Sequence, residues 1–491
     1  MSSRVVLAGI LAAGALLRGY AISRPWAPSD HDGWGGAFYS NIARNYLRYG
    51  LAETKLAPVV TTGRVPAERH VYYLTHPPFI GLSVASSFGV FGEREWAARV
   101  VPLAFSLGSV VLVYAIGASV GSRAVGTWAA LLAAFVPMGI VYGAHVDPQG
   151  PPVTFFALAM VESYRRRRWR LCLAALLVGA GFDWPVHYMS ALLAVHAVLA
   201  RGNARRFAFI LPVVSVLWVA AFLSYARYVA PTPERNYLGK NAVESFSFWS
   251  GREVDPKRIP GYRILRPSVL EWGTRLGRYY AELFTPPLLL LALWGAVLVS
   301  RRHEGAGLLL VLALWGVLHV ALFPMGAFVH DYWSDYLTPA LCLFAAVSAE
   351  RLALARTYVL AVLAVGLLGL FTYLGLSRIE RSRREEASLG PWLNRTLAPG
   401  EGVLSLLPLD VRDTYYADRP FKDGVNRVQA FEAALRHGDF RYRYFLVPRD
   451  FVADRPEKPL FQLVERTYPR FTFGGFFVYE LAQPDTGGLR P

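Results

Sequence analysis

The sequence predicts an α-helical polytopic membrane protein with about eleven transmembrane helices, followed by a small C-terminal α/β domain outside the membrane. Composition is the first reason. Apolar residues make up 54% of the 491-residue chain and charged residues only 18%, too little polar surface to solvate globular domains of that length. The mean hydropathy of +0.31 agrees. The second reason is that apolar runs recur down to about Leu376, and the third is that arginine clusters occupy every second loop between them.

The runs lie near Val5 to Ile22, Val100 to Val120, Ala124 to Tyr142, Pro152 to Tyr164, Leu171 to Gly181 and Pro185 to Leu199. They continue near Phe207 to Val229, Pro286 to Val299, Ala306 to Phe323, Tyr336 to Val347 and Tyr358 to Leu376. The first ends in Ala21-Ile22-Ser23, a small-residue pattern that also suits a cleavage site, but Arg18 and Tyr20 fit the interface end of a retained span better. Basic clusters at Arg123, Arg165 to Arg168, Arg201 to Arg206, Arg301 to Arg302 and Arg351 to Arg356 mark cytoplasmic loops. This assigns the N-terminus to the cytoplasm and puts residues 24–99 and 230–285, the turns at Asp147, Asp183 and His330, and the C-terminus outside. The location expected is the plasma (inner) membrane.

The net charge of +16 is almost all arginine, since the lysines are only Lys55, Lys240, Lys257, Lys422 and Lys458. Short loops carry that charge, so the expected contacts are membrane lipids and not nucleic acid. Cys172 and Cys342 lie in separate apolar runs, which excludes a disulfide framework or a thiolate metal site. Residues 1–376 thus read as a membrane domain and 377–491 as an exported α/β domain. In the latter, residues 426–436 are helix-like and residues 444–447 and 471–481 strand-like.

The densest polar constellation is Ser29-Asp30-His31-Asp32-Gly33, which leads into a helical pattern with Phe38, Ile42, Tyr46 and Tyr49 on one face. Carboxylates just beyond the end of a span meet falling dielectric, which raises their pKa and suits a general base; a solvated loop is the plainer alternative. Asn41, Arg44 and Arg48 read as a solvated helix face. Thr75-His76-Pro77-Pro78 reads locally as a hinge, and Phe91-Gly92-Glu93-Arg94-Glu95-Trp96-Ala97-Ala98-Arg99 opens the next span. Asp183 and His187 stand at a break between two short runs, where ionisable groups are functional by default or pair with one another. The loop 230–285 mixes cations (Arg235, Lys240, Lys257, Arg258, Arg263) with aromatics (Tyr237, Phe246, Phe248, Trp249, Tyr262, Trp272), and fits a lid or acceptor groove as well as a headgroup-binding surface.

Taken in order, these motifs resemble the GT-C superfamily, within it the protein mannosyltransferase and aminoarabinose transferase branch, which takes sugars from polyprenyl phosphates. The resemblance runs from Val5 to Leu376. It rests on the acidic motif after the first span, Tyr39-x-x-Ile42-Ala43-Arg44-Asn45, Pro77-Pro78, Phe91-Gly92-x-x-Glu95-x-x-Ala98-Arg99, Asp147 in its turn, and His330-x-Tyr332. Two departures stand out. The acids here are Asp30 and Asp32, with Gly33 to Phe38 between Asp32 and Tyr39, and the lysine usual before Pro-Pro is His76, a titratable cation in place of a fixed one.

The resemblance implies an external active site supplied by a polyprenyl-phosphate sugar, with a protein, lipid or glycan hydroxyl as acceptor. It makes Asp32 the base, with Asp30 as substitute, and gives Asp147 the second acidic position, where it would position the acceptor, support a metal or cap the next helix. Phosphate partners would be His76, Arg99, His330 and Tyr332; their plainer roles are interface snorkelling and aromatic-belt anchoring. No cofactor is fixed, although there is room for a divalent metal. The alternatives are a transporter or flippase, for which the break at Asp183 speaks, and an anchoring protein that docks partners through its C-terminal domain.

Overall fold

A computed structural model of the chain describes residues 3–26, 31–200, 205–230, 245, 247–250, 267–300, 305–353, 357–382, 389–437, 440–449 and 459–481. Its contacts sort the chain into two compact units: Met1–Arg24 with Leu74–Arg383, and Pro25–Tyr73 with Arg384–Pro491. Residues 25–73, which sequence assigns to an outer loop of the membrane domain, thus have their contacts with the C-terminal residues.

The helices in chain order begin α1 (Ser3–Arg18), α2 (His31–Glu53), α3 (Phe79–Phe91), α4 (Glu95–Val120), α5 (Arg123–Phe135), α6 (Pro137–Tyr142), α7 (Pro151–Arg165), α8 (Trp169–Ala180), α9 (Pro185–Leu199) and α10 (Arg205–Val229). They continue as α11 (Val269–Leu283), α12 (Pro286–Ser300), α13 (Ala306–Leu322), α14 (Pro324–Val329), α15 (Thr338–Ala353) and α16 (Thr357–Ser382). Every apolar run of the sequence falls on one or two of these helices. Among the described residues, Glu95–Val120 and Phe209–Val229 are long and apolar enough to cross a membrane, and α11 with α12, bent by 97°, makes a third if counted as one. The helices Phe79–Phe91, Arg123–Phe135, Trp169–Ala180, Pro185–Leu199 and Ala306–Leu322 are apolar but shorter. Helix α10 exposes Phe209, Val213, Val216 and Leu217, the pattern expected of a face turned to lipid. Helix α3 is an apolar element that the hydropathy runs pass over.

The run from Ala124 to Tyr142 breaks where Pro137 cannot donate to the preceding turn, leaving the last carbonyls of α5 without partners. Arg18 fills that gap. Its guanidinium, 4% exposed, donates to the carbonyls of Ala134 (2.6 Å) and Ala133 (2.7 Å) and to Ser106 Oγ (2.9 Å). A Cβ at Gly139 would stand 2.5 Å from that guanidinium, and one at Gly143 2.6 Å, so both glycines make room for it. Arg18 therefore caps a buried helix end, whereas sequence suggests an interface residue.

The second unit holds α2 and a five-stranded sheet of β1 (Glu401–Ser405), β2 (Phe421–Lys422), β3 (Arg441–Pro448), β4 (Arg470–Phe473) and β5 (Phe476–Glu480), in the order β2-β1-β3-β5-β4. The pairs β1/β2 and β1/β3 are parallel; β3/β5 and β4/β5 are antiparallel. Gly474 (φ +53°) and Gly475 make the two-residue turn of the β4/β5 hairpin. Successive side chains feed opposite faces. Leu404, Phe445, Val447 and Tyr479 pack with Phe431 and Val464, while Val403, Tyr444, Leu446 and Val478 pack with Leu389 and Leu393. Sequence anticipates a helix near 426–436, observed as Val428–His437, and the strand β3, while the single strand-like run 471–481 is observed as two strands, β4 and β5, split by the turn at Gly474-Gly475.

Helix α2 is mostly buried between Ala37 and Tyr46, with Tyr39, Ser40, Ile42, Asn45 and Tyr46 at most 4% exposed. Its polar residues are not a solvated face. Asn45 Nδ2 donates to the carbonyls of Val59 (2.9 Å) and Thr61 (2.8 Å), and Asn41 Nδ2 to that of Val60 (3.0 Å). Arg48 binds Asp418 at 2.6 Å, and Arg44 approaches the same carboxylate at 3.3 Å while lying 4.2 Å from the Tyr415 ring centroid.

Candidate functional site

The polar chemistry of the first unit gathers where the helices turn. Gly143 ends α6 and Pro151-Pro152 starts α7, so residues 143–150 form a tight reversal with Asp147 in it. Asp147 is 6% exposed. Its Oδ1 accepts from the Gln149 N–H (2.8 Å), its Oδ2 accepts from Tyr332 Oη (3.3 Å), and His145 Nε2 lies 3.9 Å from Oδ2. The His145 and Tyr332 rings stand 4.7 Å apart. Burial pushes the Asp147 carboxyl above the usual range; His145, His76 and the Gln149 N–H oppose this without cancelling it.

A 3₁₀ turn over Asp331–Leu337 holds this reversal in place. Tyr142 Oη donates to Asp331 Oδ1 (2.6 Å), and Tyr336 Oη donates to the Gln149 carbonyl. Arg378, near the end of α16, pairs with Asp331 and, at 2.8 Å, with Glu282 of α11. His330 stacks against Trp333 with ring centroids 5.7 Å apart and stands 5.3 Å from the Tyr332 ring.

His76 sits in the turn before α3, which is locked to the break between α8 and α9. Trp184 Nε1 donates to the Thr75 carbonyl (2.9 Å), the Phe79 N–H donates to the Gly181 carbonyl (3.0 Å), and His76 Nδ1 bonds Asp183 Oδ1 at 2.7 Å. A Cβ on Gly181 would stand 2.3 Å from the Phe79 ring, so the close approach requires glycine there. Burial works against the charge on His76, but the Asp183 carboxylate and its hydrogen bond, with Asp147 behind them, outweigh that and raise its pKa above the ordinary histidine value. Asp183 therefore pairs with His76 and not with His187, whose two ring nitrogens have no hydrogen-bond partner among the described residues.

The other expected site residues are placed as follows. Arg99, 2% exposed, donates to the carbonyls of Ile22 (3.0 Å) and Arg24. Asp32 is 7% exposed in the first turn of α2, in the second unit. Asp30 lies outside the described residues, as do most cations and aromatics of 230–285. Of those described, Phe248, Trp249 and Trp272 cluster with centroids 4.9 to 5.8 Å apart. Trp249 Nε1 donates to the Ala321 carbonyl (2.8 Å), capping the end of α13, and Trp272 Nε1 donates to that of Pro324 (2.9 Å), the first residue of α14.

The structure thus brings Asp147, Tyr332 and His145 into contact, with the His76–Asp183 pair within electrostatic reach. Arg378, Glu282, Tyr142 and Asp331 support this cluster and escape a motif-based reading. The signal for Arg378 is positional, a cation just past the end of an apolar run. Among the described residues no group of three or more His, Cys, Asp and Glu side chains could hold a metal ion, so no chemical step is assigned to one.

Residues 75–227 match the dolichyl-phosphate-mannose-protein mannosyltransferase family. No match is found among curated proteins. Among solved structures, the chain is similar to ArnT from Cupriavidus metallidurans in the apo state, with a TM-score of 0.65 and 15% identity over 97% of each chain. The same protein bound to undecaprenyl phosphate gives a TM-score of 0.62, again with 15% identity and 97% of each chain covered. The oligosaccharyltransferase of Archaeoglobus fulgidus in the apo form gives 0.58, with 12% identity over 98% of this chain and 75% of that one. Residues 75–227 thus resemble the mannosyltransferase family, and the chain shares the fold of these solved glycosyltransferases.

Proposed function

We propose that this chain is a membrane glycosyltransferase that moves a sugar from a polyprenyl-phosphate-linked donor to an acceptor hydroxyl on the extracytoplasmic face, with inversion at the anomeric carbon. The observation that carries the reading is the buried turn cluster of Asp147, His145, Tyr332 and the His76–Asp183 pair, much of it inside the segment that matches the mannosyltransferase family. The binding of undecaprenyl phosphate by ArnT from Cupriavidus metallidurans, which has a similar fold, supports the donor class. Displacement at the anomeric carbon requires a base for the acceptor hydroxyl and positive charge for the departing phosphate, which leaves without a general acid. Asp32, with Asp30 as substitute, serves as the base. Asp147 positions the acceptor, and His76, Arg99, His330 and Tyr332 meet the phosphate. The helix break at Asp183, which speaks for a transporter, holds an ion pair with a loop histidine.

In this reading residues 1–376 form the membrane catalytic domain, with a cytoplasmic N-terminus in the plasma (inner) membrane, and 377–491 form an external domain. Reporters fused after Ser382 and within Arg165 to Arg170 will then report opposite sides; the same side for both refutes that topology. Asp32→Asn keeps the side chain's shape but takes no proton, so transfer of labelled sugar by the purified protein falls by about two to four orders of magnitude while donor affinity holds. Arg99→Ala weakens donor binding first. Near wild-type transfer by both Asp30→Asn and Asp32→Asn would remove the base from this segment.

A further inference from the structure

Arg18, at the end of α1, and Asp335, on the 331–337 turn, line one cavity of about 40 Å³ inside the first unit, together with Ser109, Thr154 and Thr338. Each charge lies within electrostatic reach of the other, yet among the described residues the two make no direct ion pair. Both are also short of partners. A guanidinium carries five N–H groups. Nε donates to Ser106, Nη1 to the carbonyls of Ala134 and Gly14 (3.4 Å) and Nη2 to that of Ala133, which leaves one Nη2–H without a partner among the described residues. Asp335 accepts from Thr338 Oγ1 at Oδ1 and from Thr154 Oγ1 at Oδ2, both at 3.1 Å, which fills two of its about four acceptor directions.

Size and charge select the occupant. Such a volume admits roughly one to three waters and is too small for a sugar ring or a phosphate group. A cation drawn to Asp335 would be repelled by the guanidinium, and an anion drawn to Arg18 by the carboxylate. A dipole satisfies both walls at once. We infer that the cavity is a hydration site in which ordered water bridges Arg18 and Asp335, accepting from the remaining Nη2–H and donating to the carboxylate. The inference is independent of the donor, the acceptor and the reaction.

Two charges drawn out of water destabilise a fold unless each completes its hydrogen bonds, and a bridging water does this nearly as well as a direct contact. Arg18 then has two tasks. It caps α5 through the Ala133 and Ala134 carbonyls, and through water it ties α1 to the turn that carries Tyr332, the hydroxyl donor to Asp147. Thr154 extends the same junction to α7, which begins where the Asp147 reversal ends.

The test uses Val113 of α4, which lines the cavity with an apolar side chain. Val113→Thr keeps the volume and adds a hydroxyl, whereas Val113→Ile adds bulk and no polar atom. A hydrated cavity accepts the hydroxyl and loses water to the larger side chain, so the purified full chain is expected to melt a few degrees higher with threonine than with isoleucine. A dry cavity reverses the order, because filling it stabilises the fold and burying an unpaired hydroxyl does the opposite; that result, or equal melts, overturns the inference. The wild-type melting temperature is expected to show no saturable dependence on sodium or chloride at constant ionic strength. Such a dependence would identify a bound ion and overturn water as the occupant. Should either variant fail to fold, a wild-type structure at a resolution that shows ordered water decides. Density in contact with both Arg18 Nη2 and Asp335 sustains the inference, and a direct Arg18–Asp335 pair or a cavity without density overturns it.

Discussion

Asp147 in the first unit and Asp418 in the second are both turn aspartates drawn largely out of water, and the chain treats them in opposite ways. Asp418 receives Arg48 at 2.6 Å, Arg44 at 3.3 Å and the Gly63 N–H at 3.3 Å. Burial alone would raise its pKa, but the two arginines and these hydrogen bonds lower it below the usual aspartate value. Asp147 meets a backbone N–H, a tyrosine hydroxyl and two histidines, and its pKa ends up raised. Permanent cations turn a buried carboxylate into a fixed fastener. Titratable and neutral partners leave it able to exchange a proton or a ligand, which is how a site differs from a joint.

Two matched substitutions separate the two aspartates most strongly. Asp147→Asn is expected to lower sugar transfer by about a hundredfold or more while the melting temperature stays level or rises, because a buried and incompletely compensated charge has gone. Asp418→Asn is expected to cost about 1 to 3 kcal/mol of stability by leaving two arginines under-partnered, with undecaprenyl phosphate binding retained. Transfer rates and thermal melts of both purified variants check the pair. An Asp418 variant that melts normally but transfers no sugar would reverse the assignment.

Acidification separates the two aspartates more gently. A lowered carboxylate contributes stability above its unfolded pKa of about 3.9 and loses it as pH falls through the depressed native value, so the Asp418 contribution holds until below about pH 4. A raised carboxylate acts in the opposite sense: the native state is relieved as pH falls through the raised value, so the stability difference between wild type and Asp147→Asn narrows on acidification. Melting curves at several pH values for wild type and the two variants give both trends.

Much of the architecture is legible in the sequence because burial writes itself as hydropathy. The apolar runs, the helix begun by Ala37 to Leu47 and the Tyr444 to Val447 strand all appear there. What the sequence leaves hidden depends on partners far along the chain. Arg44 and Arg48 have the spacing of a solvated helical face, and only Asp418, some 370 residues away, makes them structural. Arg18 likewise reads as an interface cation until Pro137 opens a helix end for it. His187 is the nearer candidate for Asp183, whereas the fold supplies His76 from 107 residues earlier. Strand β1 passes unnoticed because Glu401-Gly402-Val403-Leu404-Ser405 is short and has no clear alternation.

The proposal of a lipid-linked-sugar glycosyltransferase is tested most directly by mixing the purified full chain with a labelled polyprenyl-phosphate sugar and an extract of candidate acceptors. Free polyprenyl phosphate and labelled acceptor are then followed together. The account predicts that both accumulate in equal amounts with wild type, and that Asp32→Asn and Asp147→Asn suppress both. Labelled lipid that binds but is never consumed, or that crosses the bilayer with its sugar still attached, would contradict it.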